Sequence, residues 1–339
     1  MNRPLRLMAR ALPLLIVAGC ARAGGLGARR TADPAATLAA GGTRETAIAR
    51  VDFEAMVPDS FAVSPDGRQV AYSARYRDGS RVFLGLAVSG PYDQIQEAPP
   101  VFSLDSRRLA YVAEMRGQRY VIVDGDRLGP YPDVGVPIFS ADSTELAFVV
   151  KVEAGQAVVA GGEALPAHEQ VNDLRWSPDG RLAYAAREGD EWFAVVDGEA
   201  GPGYDEVYLP AELFGRDGRR YAYVGVRGDD WHVVVDGEEH GPYAAVGERG
   251  PVFSPDGSRL AYLARAGEWW RVVVDGEAGR LFDEAGAPAF SADGGHWMHP
   301  AAWGGRSYLM FDGESLGPYA AVAPSGGMAF GPEGERHVY

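Results

Sequence analysis

The stretch Pro251-Val-Phe253-Ser-Pro-Asp256-Gly257-Ser-Arg259-Leu260-Ala-Tyr262-Leu-Ala264, followed after a polar turn by Trp269-Trp-Arg-Val-Val-Val274-Asp275-Gly276, decides how the chain folds. A short apolar entry leads into Ser-Pro-Asp-Gly, where Pro fixes φ and Gly accepts a positive φ. Two runs rich in β-branched and aromatic residues come next. Asp275-Gly276 after the second run is a favoured two-residue hairpin turn. The prediction is four antiparallel strands in one short unit.

That unit recurs along the chain. Its turn anchors are Val63-Ser-Pro-Asp66, Phe102-Ser-Leu-Asp105, Phe139-Ser-Ala-Asp142, Trp176-Ser-Pro-Asp179, Phe214-Gly-Arg-Asp217, Phe253-Ser-Pro-Asp256, Phe290-Ser-Ala-Asp293 and Phe330-Gly-Pro-Glu333, with the acidic residues 37 to 40 positions apart. Asp-Gly pairs recur at Asp124-Gly125, Asp197-Gly198, Asp236-Gly237 and Asp312-Gly313. An aromatic-x-x-apolar element is read as the last strand: Tyr92…Ile95, Tyr131…Val134, Tyr204…Val207, Tyr243…Val246 and Tyr319…Val322, with Phe282…Ala285 and His168…Val171 as weaker versions. Tandem four-stranded units of this length predict an all-β chain folded as a β-propeller. One unit cannot cover both faces of its sheet; stacking covers them, and ring closure protects the edges.

The ends predict how the ring shuts. Phe53-Glu-Ala-Met56 falls ten residues before Val63, as Tyr243…Val246 does before Phe253, and is read as an outer strand. Residues 330–339 supply a first strand and part of a second. Together they predict eight four-stranded blades, one of them composite, with inner strands from the C-terminus and outer strands from residues 43–56. Seven blades with a loose eighth fragment is the alternative, because the third strand of the composite blade, near residues 45–48, is poorly marked.

Composition narrows the function. The 339 residues include 45 Gly and 23 Pro, which suits many turns without reaching the level of a disordered low-complexity chain. The single Cys excludes an internal disulfide framework and a Cys-rich metal site. A formal charge of −15 argues against nucleic acid as a partner. Lys151 is the only lysine, a bias attributed to genome composition.

Residues 1–10 carry Arg3, Arg6 and Arg10 and no acid, and an apolar run from Ala11 ends at Cys20. This reads as a secretory signal; the run is shorter than the roughly 20 residues that a spanning helix needs. Val17-Ala-Gly-Cys20 resembles a bacterial lipobox, which implies cleavage before Cys20, diacylglyceryl attachment to its thiol and acylation of the new amino terminus. More than one acyl chain anchors a protein stably. Residues 20–42, rich in Ala, Gly and Arg, read as a flexible tether, and residues 43–339 as the propeller. The implied location is the bacterial cell envelope outside the cytoplasm, lipid-anchored in the periplasm or at the cell surface, as a monomer.

Phe-Ser-Pro-Asp-Gly followed by Leu-Ala-Tyr is similar to the TolB-type, WD-repeat-like propeller repeat. Copies at 176–184 and 253–262 match closely, 63–72 departs mainly at its first residue, and those at Phe102, Phe139 and Phe290 lose Pro or Gly. The resemblance runs over residues 43–339. It implies the fold and is nearly silent on activity, because the repeated residues hold blades together. Prolyl-oligopeptidase-like and tricorn-like peptidases with such propellers carry a hydrolase domain, which is not expected here, and the chain is read as lacking a Gly-x-Ser-x-Gly elbow.

Each chemical signal has a structural counterpart. The anchor Asp residues are read as turn residues whose carboxylates accept from nearby backbone N–H groups. His296-Trp-Met-His299 resembles a metal pair, but residues three apart on a strand point to opposite faces, so His299 is read as a substituted core aromatic. Trp192, Trp231 and Trp269 are read as packing between blades. Asp93, Asp205-Glu206 and Asp283-Glu284 are read as charges that protect an outer edge. Candidate ligand-binding residues are Asp59, Asn172, Asp173, Arg175, Glu212 and Arg249, placed on loops joining one blade to the next at the channel mouth, with Arg75, Lys151, Arg187 and Arg265 on the same face. The sequence therefore favours a non-catalytic scaffold for a protein or polar ligand, with no cofactor or metal. The alternative is a hydrolase or lyase acting on glycans or peptides at the mouth; a quinone-cofactor dehydrogenase is set aside for lack of its Trp-docking repeats.

Overall fold

In the computed structural model, residues 39–40, 43–44, 51–322, 328–330 and 336–338 are described. The signal segment and Cys20 lie outside them. The chain divides into two units, residues 1–47 and 48–339. In the first, Ala39–Ala40 pairs antiparallel with Thr43–Arg44.

The second unit is an all-β propeller, with no helix among its described residues. Seven antiparallel sheets follow one another along the chain, four of them with four strands and three with five, the fifth being a second piece of the first strand. In sheet six the second, third and fourth strands are Leu260–Ala266, Trp269–Val274 and Glu277–Ala278. Period-two alternation divides the apolar second strand between two neighbours. Leu260, Tyr262 and Ala264 pack with residues of sheet five, whereas Ala261 and Leu263 face Phe290 and Trp297 of sheet seven. Every successive pair of sheets shares such a cluster. At about 25 cal/mol per Å² of apolar surface, this face-to-face burial is the main stabilising term.

The first strand is not one piece except in sheet four, where Gln170–Trp176 runs through with a register shift, and here the structure corrects the sequence reading. Ala245–Val246 and Val252–Phe253 both pair with Leu260–Ala266; Gln94–Ile95 and Val101–Phe102 both pair with Leu109–Met115. Except in Tyr319…Val322, where Val322 lies in no strand, the aromatic of each aromatic-x-x-apolar element ends or follows an outer strand, whereas the apolar residue already belongs to the next sheet. Met56 likewise bridges Ala74 of sheet one. Phe53-Glu-Ala-Met56 is therefore not an outer strand of another blade; its Met56 starts the first strand of sheet one. Residues 45–50 lie outside the described set. At the C-terminus Met328–Phe330 pairs with Arg336–Val338, the expected first and second strands of an eighth unit. Phe330 packs on Met298, Leu309 and Phe311 of sheet seven.

Polar ties lock successive sheets. Ser254 Oγ donates to Asp256 at 2.5 Å and accepts from the Arg259 N–H. The same Ser–Asp bond forms at Ser64, Ser103, Ser140, Ser177 and Ser291. The turn then reaches forward: the Asp66 N–H donates to Ser106 Oγ and the Asp105 N–H to Ser143 Oγ, each in the following sheet. An arginine just before the second strand completes the tie. Arg220 Nε meets Asp236 of its own hairpin at 2.9 Å, Nη1 donates to the Ser258 carbonyl of the next turn at 2.9 Å, and the guanidinium lies 5.8 Å from the Phe253 ring centroid. Arg108 and Arg259 repeat all three contacts, and Arg181 repeats the carbonyl and ring contacts.

These bonds hold the turn carboxyls below their ordinary range: Asp256 falls to about 2, chiefly through the Ser254 hydroxyl and then the Ser258 hydroxyl and N–H. A lowered carboxyl stabilises the fold above its unfolded pKa, and the benefit is lost as pH falls through the folded value. Ser254→Ala is expected to raise the Asp256 pKa in a carboxyl NMR titration and to move acid unfolding to higher pH. An unchanged titration would show that the hydroxyl does not set it. Arg220→Ala is expected to cost roughly 1–2 kcal/mol in thermal or denaturant unfolding, as removal of two charge-assisted hydrogen bonds predicts.

Candidate functional site

Side chains engaged in the ties just described are not available for chemistry. Among the described residues every carboxyl with a displaced pKa is displaced downward: Asp66, Asp78, Asp105, Asp142, Asp179, Glu239, Asp256 and Asp293. A general acid needs the opposite shift. Asp93, Asp205 and Asp283, expected on an outer edge, lie instead at crossovers between sheets. Their carboxylates accept the N–H of Arg116, Gly228 and Gly304, so each caps the hairpin between the second and third strands of the next sheet.

The candidate mouth residues do not lie on blade-to-blade loops. They occupy the interruption in the middle of a first strand, at the sheet edge that runs beside the corresponding edge of the neighbouring sheet in sheets one to four. Asp59 lies between Met56 and Ala62–Val63, with φ of 59°. Asn172 and Asp173 lie at a register shift in Gln170–Trp176, and Asp173 has φ of 54°. Glu212 follows Glu206–Tyr208, and Arg249 lies between Ala245–Val246 and Val252–Phe253. Asp59, Asn172, Asp173, Glu212 and Arg249 are exposed. Arg175 differs: it is half-buried, donates to the Pro210 carbonyl at 2.6 Å and the Leu209 carbonyl at 3.2 Å, and sits 4.0 Å from Asp173. It ties sheet four to the interruption that carries Glu212. Of the basic residues expected nearby, Arg75 pairs with Glu97 at 3.6 Å, Arg187 with Glu169 at 3.7 Å, and Arg265 covers Trp270.

Two other readings sharpen. Trp270, not Trp269, shares the register of Trp192 and Trp231: each stands five residues before the Asp of Asp-Gly and packs against a core between sheets. Trp269 is 47% exposed. The expected absence of a Gly-x-Ser-x-Gly elbow is incorrect as a matter of letters, because Gly313-Glu-Ser315-Leu-Gly317 carries them. Ser315 lies within the extended strand Glu314–Tyr319, paired with Met310, and not on a strand-to-helix turn.

A cavity of about 540 Å³ opens between sheets six and seven. Elsewhere the aromatic closing one sheet meets the second-strand aromatic of the next: Tyr92 and Tyr111 join hydroxyl to hydroxyl at 2.9 Å, as do Tyr243 and Tyr262. Between sheets six and seven the partners are Phe282 and His299, ring centroids 5.5 Å apart. His299 is only 1% exposed and its ring stacks on Trp297. Opposite-facing His296 instead meets Asp312 at 2.6 Å, so the two histidines do not share an ion.

No protein-family model and no curated protein matches the chain. Solved structures similar to it include TolB of Acinetobacter baumannii, at 16% identity over 72% of this chain and 77% of that one with a TM-score of 0.29. A TolB of Agrobacterium tumefaciens is 16% identical over 57% of this chain and 83% of that one, TM-score 0.30. The β-propeller domain of the trilobed protease from Pyrococcus furiosus is 14% identical over 77% and 97%, TM-score 0.37.

Burial lowers His299 to about 4, against an ordinary value near 6.5. A histidine held neutral in the fold but free to protonate when unfolded contributes fully above the unfolded pKa. That contribution declines as pH falls from about 6.5 to about 4. His299→Phe, which mimics Phe148 of sheet three, is expected to flatten stability against pH in this window. Parallel wild-type and variant curves would show that the imidazole titrates as it does in the unfolded chain.

Proposed function

We propose that the chain is a non-catalytic binding scaffold, held at a bacterial membrane outside the cytoplasm by lipid on Cys20. The observation that carries the scaffold reading is the division of labour among polar side chains. The repeated Ser, Asp and Arg residues are engaged in ties between sheets. Asp59, Glu212 and Arg249 stand exposed on first-strand interruptions with no hydrogen bond or ion pair to other described residues. Charged groups on rigid edges suit a polar protein or ligand surface, with electrostatics setting specificity. The downward-shifted carboxyls favour this reading over glycan or peptide cleavage, which needs a proton donor. The net charge of −15 fits a partner with a basic face. The anchor rests on the single Cys ending the apolar leader.

Cys20→Ala is expected to move the protein from the membrane pellet to the soluble fraction; full retention in the pellet would refute lipidation. A Glu212→Arg, Asp59→Arg double variant with unchanged melting temperature is expected to lose a partner that the wild type retains on purification from detergent-solubilised membranes. Equal recovery of that partner by both would overturn the assignment of these edges.

A further inference from the structure

The cavity between sheets six and seven is a gap in the repeat, and its shape follows from two substitutions. The second strand carries tyrosine at this register in sheets one, two, four, five and six, and phenylalanine, Phe148, in sheet three. Sheet seven has His299, a smaller ring without a phenol. Across from it, the fourth strand of sheet six has Gly279 where sheets two, three and seven have Leu128, Leu165 and Leu316. Sheet four also has a glycine there, Gly201, but the Tyr223 hydroxyl fills its place, 2.3 Å from where a Cβ would stand. Beside Gly279 no such hydroxyl arrives. The result is a cavity of about 540 Å³, within the range of small-ligand sites.

Its walls are mixed: Trp297, Phe282 and Met310 are aromatic or apolar and His299 supplies a buried imidazole, while Glu277, Asp275 and Asp312 also line it, Asp275 held by Arg259 and Asp312 by His296. His299 Nδ1 is turned to the Pro300 carbonyl oxygen at 3.0 Å and donates there. Nε2 is then the ring's acceptor, without a hydrogen-bond partner among the described residues. Burial holds the imidazole neutral near pH 7, which keeps that lone pair available. At the rim Arg280 is exposed and lies 4.4 Å from the Trp303 ring centroid, and no carboxylate pairs with it among the described residues. Its guanidinium donors are open to an anion.

We propose that this cavity binds a small phenolic carboxylate, whose hydroxyl donates to His299 Nε2 while its carboxylate meets Arg280. The ligand's phenol occupies the place that a second-strand tyrosine fills elsewhere in the repeat. This site is separate from the first-strand edges, so it stands or falls independently of the scaffold reading.

Calorimetric titration of the full chain with 4-hydroxyphenylacetate, phenylacetate and N-acetyltyrosine amide tests the assignment. The wild type is expected to bind 4-hydroxyphenylacetate, and phenylacetate about tenfold or more weakly, because the latter leaves Nε2 unpaired. His299→Tyr restores the repeat's own residue, fills the cavity and is expected to abolish binding while the melting temperature holds or rises. His299→Phe is expected to erase the preference for the hydroxyl, and Arg280→Ala to weaken both acids and not the amide. Binding of the amide as tightly as the acid would overturn the role of Arg280 and point to a tyrosine of a peptide. Undiminished binding by His299→Tyr, or none by the wild type at millimolar ligand, would overturn the site.

Discussion

Each sheet in this chain has two apolar faces and only one chain neighbour on each side to cover them. That constraint governs the rest of the structure. Ala261 and Tyr262 are adjacent in sequence yet belong to cores on opposite sides of their sheet. No unit can be stable with one neighbour missing, so the polar ties all run between sheets as well as within them. The Arg220 guanidinium illustrates how: one nitrogen closes its own hairpin and another grips the next turn, while the cation lies over an aromatic ring of the next sheet.

The anchors, the hairpin Asp-Gly pairs and the packing role of His299 were legible because each depends on local chemistry: a turn needs a short acceptor and a positive φ, and a strand face needs a ring. What was not legible depends on pairing across sequence. Tyr243…Val246 reads as one element, but the crossover between its two ends assigns them to different sheets, and Met56 was misassigned for the same reason. Asp93, Asp205 and Asp283 were placed on an outer edge by that error. The arginine tie could have been found: Arg108, Arg181 and Arg259 each precede the second strand by one residue and Arg220 by two, a repetition that turn chemistry does not demand.

Asp59, Asn172, Asp173, Glu212 and Arg249 are exposed, but they lie within first strands and not on loops joining one blade to the next, since a split first strand leaves no signal in hydrophobic alternation. Arg175 was read as a candidate ligand-binding residue; its guanidinium donates to two carbonyls of the next sheet. The cavity beside His299 was invisible for another reason. Gly279 and His299 are each unexceptional alone, and the space exists only because both occur on facing strands. Gly201 shows that one small residue is not enough when the opposing ring is a full tyrosine.

The forward reach of the turns, from the Asp66 N–H to Ser106 and from the Asp105 N–H to Ser143, gives the array a direction. At these two junctions the earlier module offers a donor and the later one an acceptor, as couplings do between railway carriages. A duplicated module spliced in at such a junction would find matching partners before and behind it. Length can therefore change over evolutionary time by whole carriages, with the couplings untouched, while joints with a peculiar fit, such as that between Gly279 and His299, stay fixed in place.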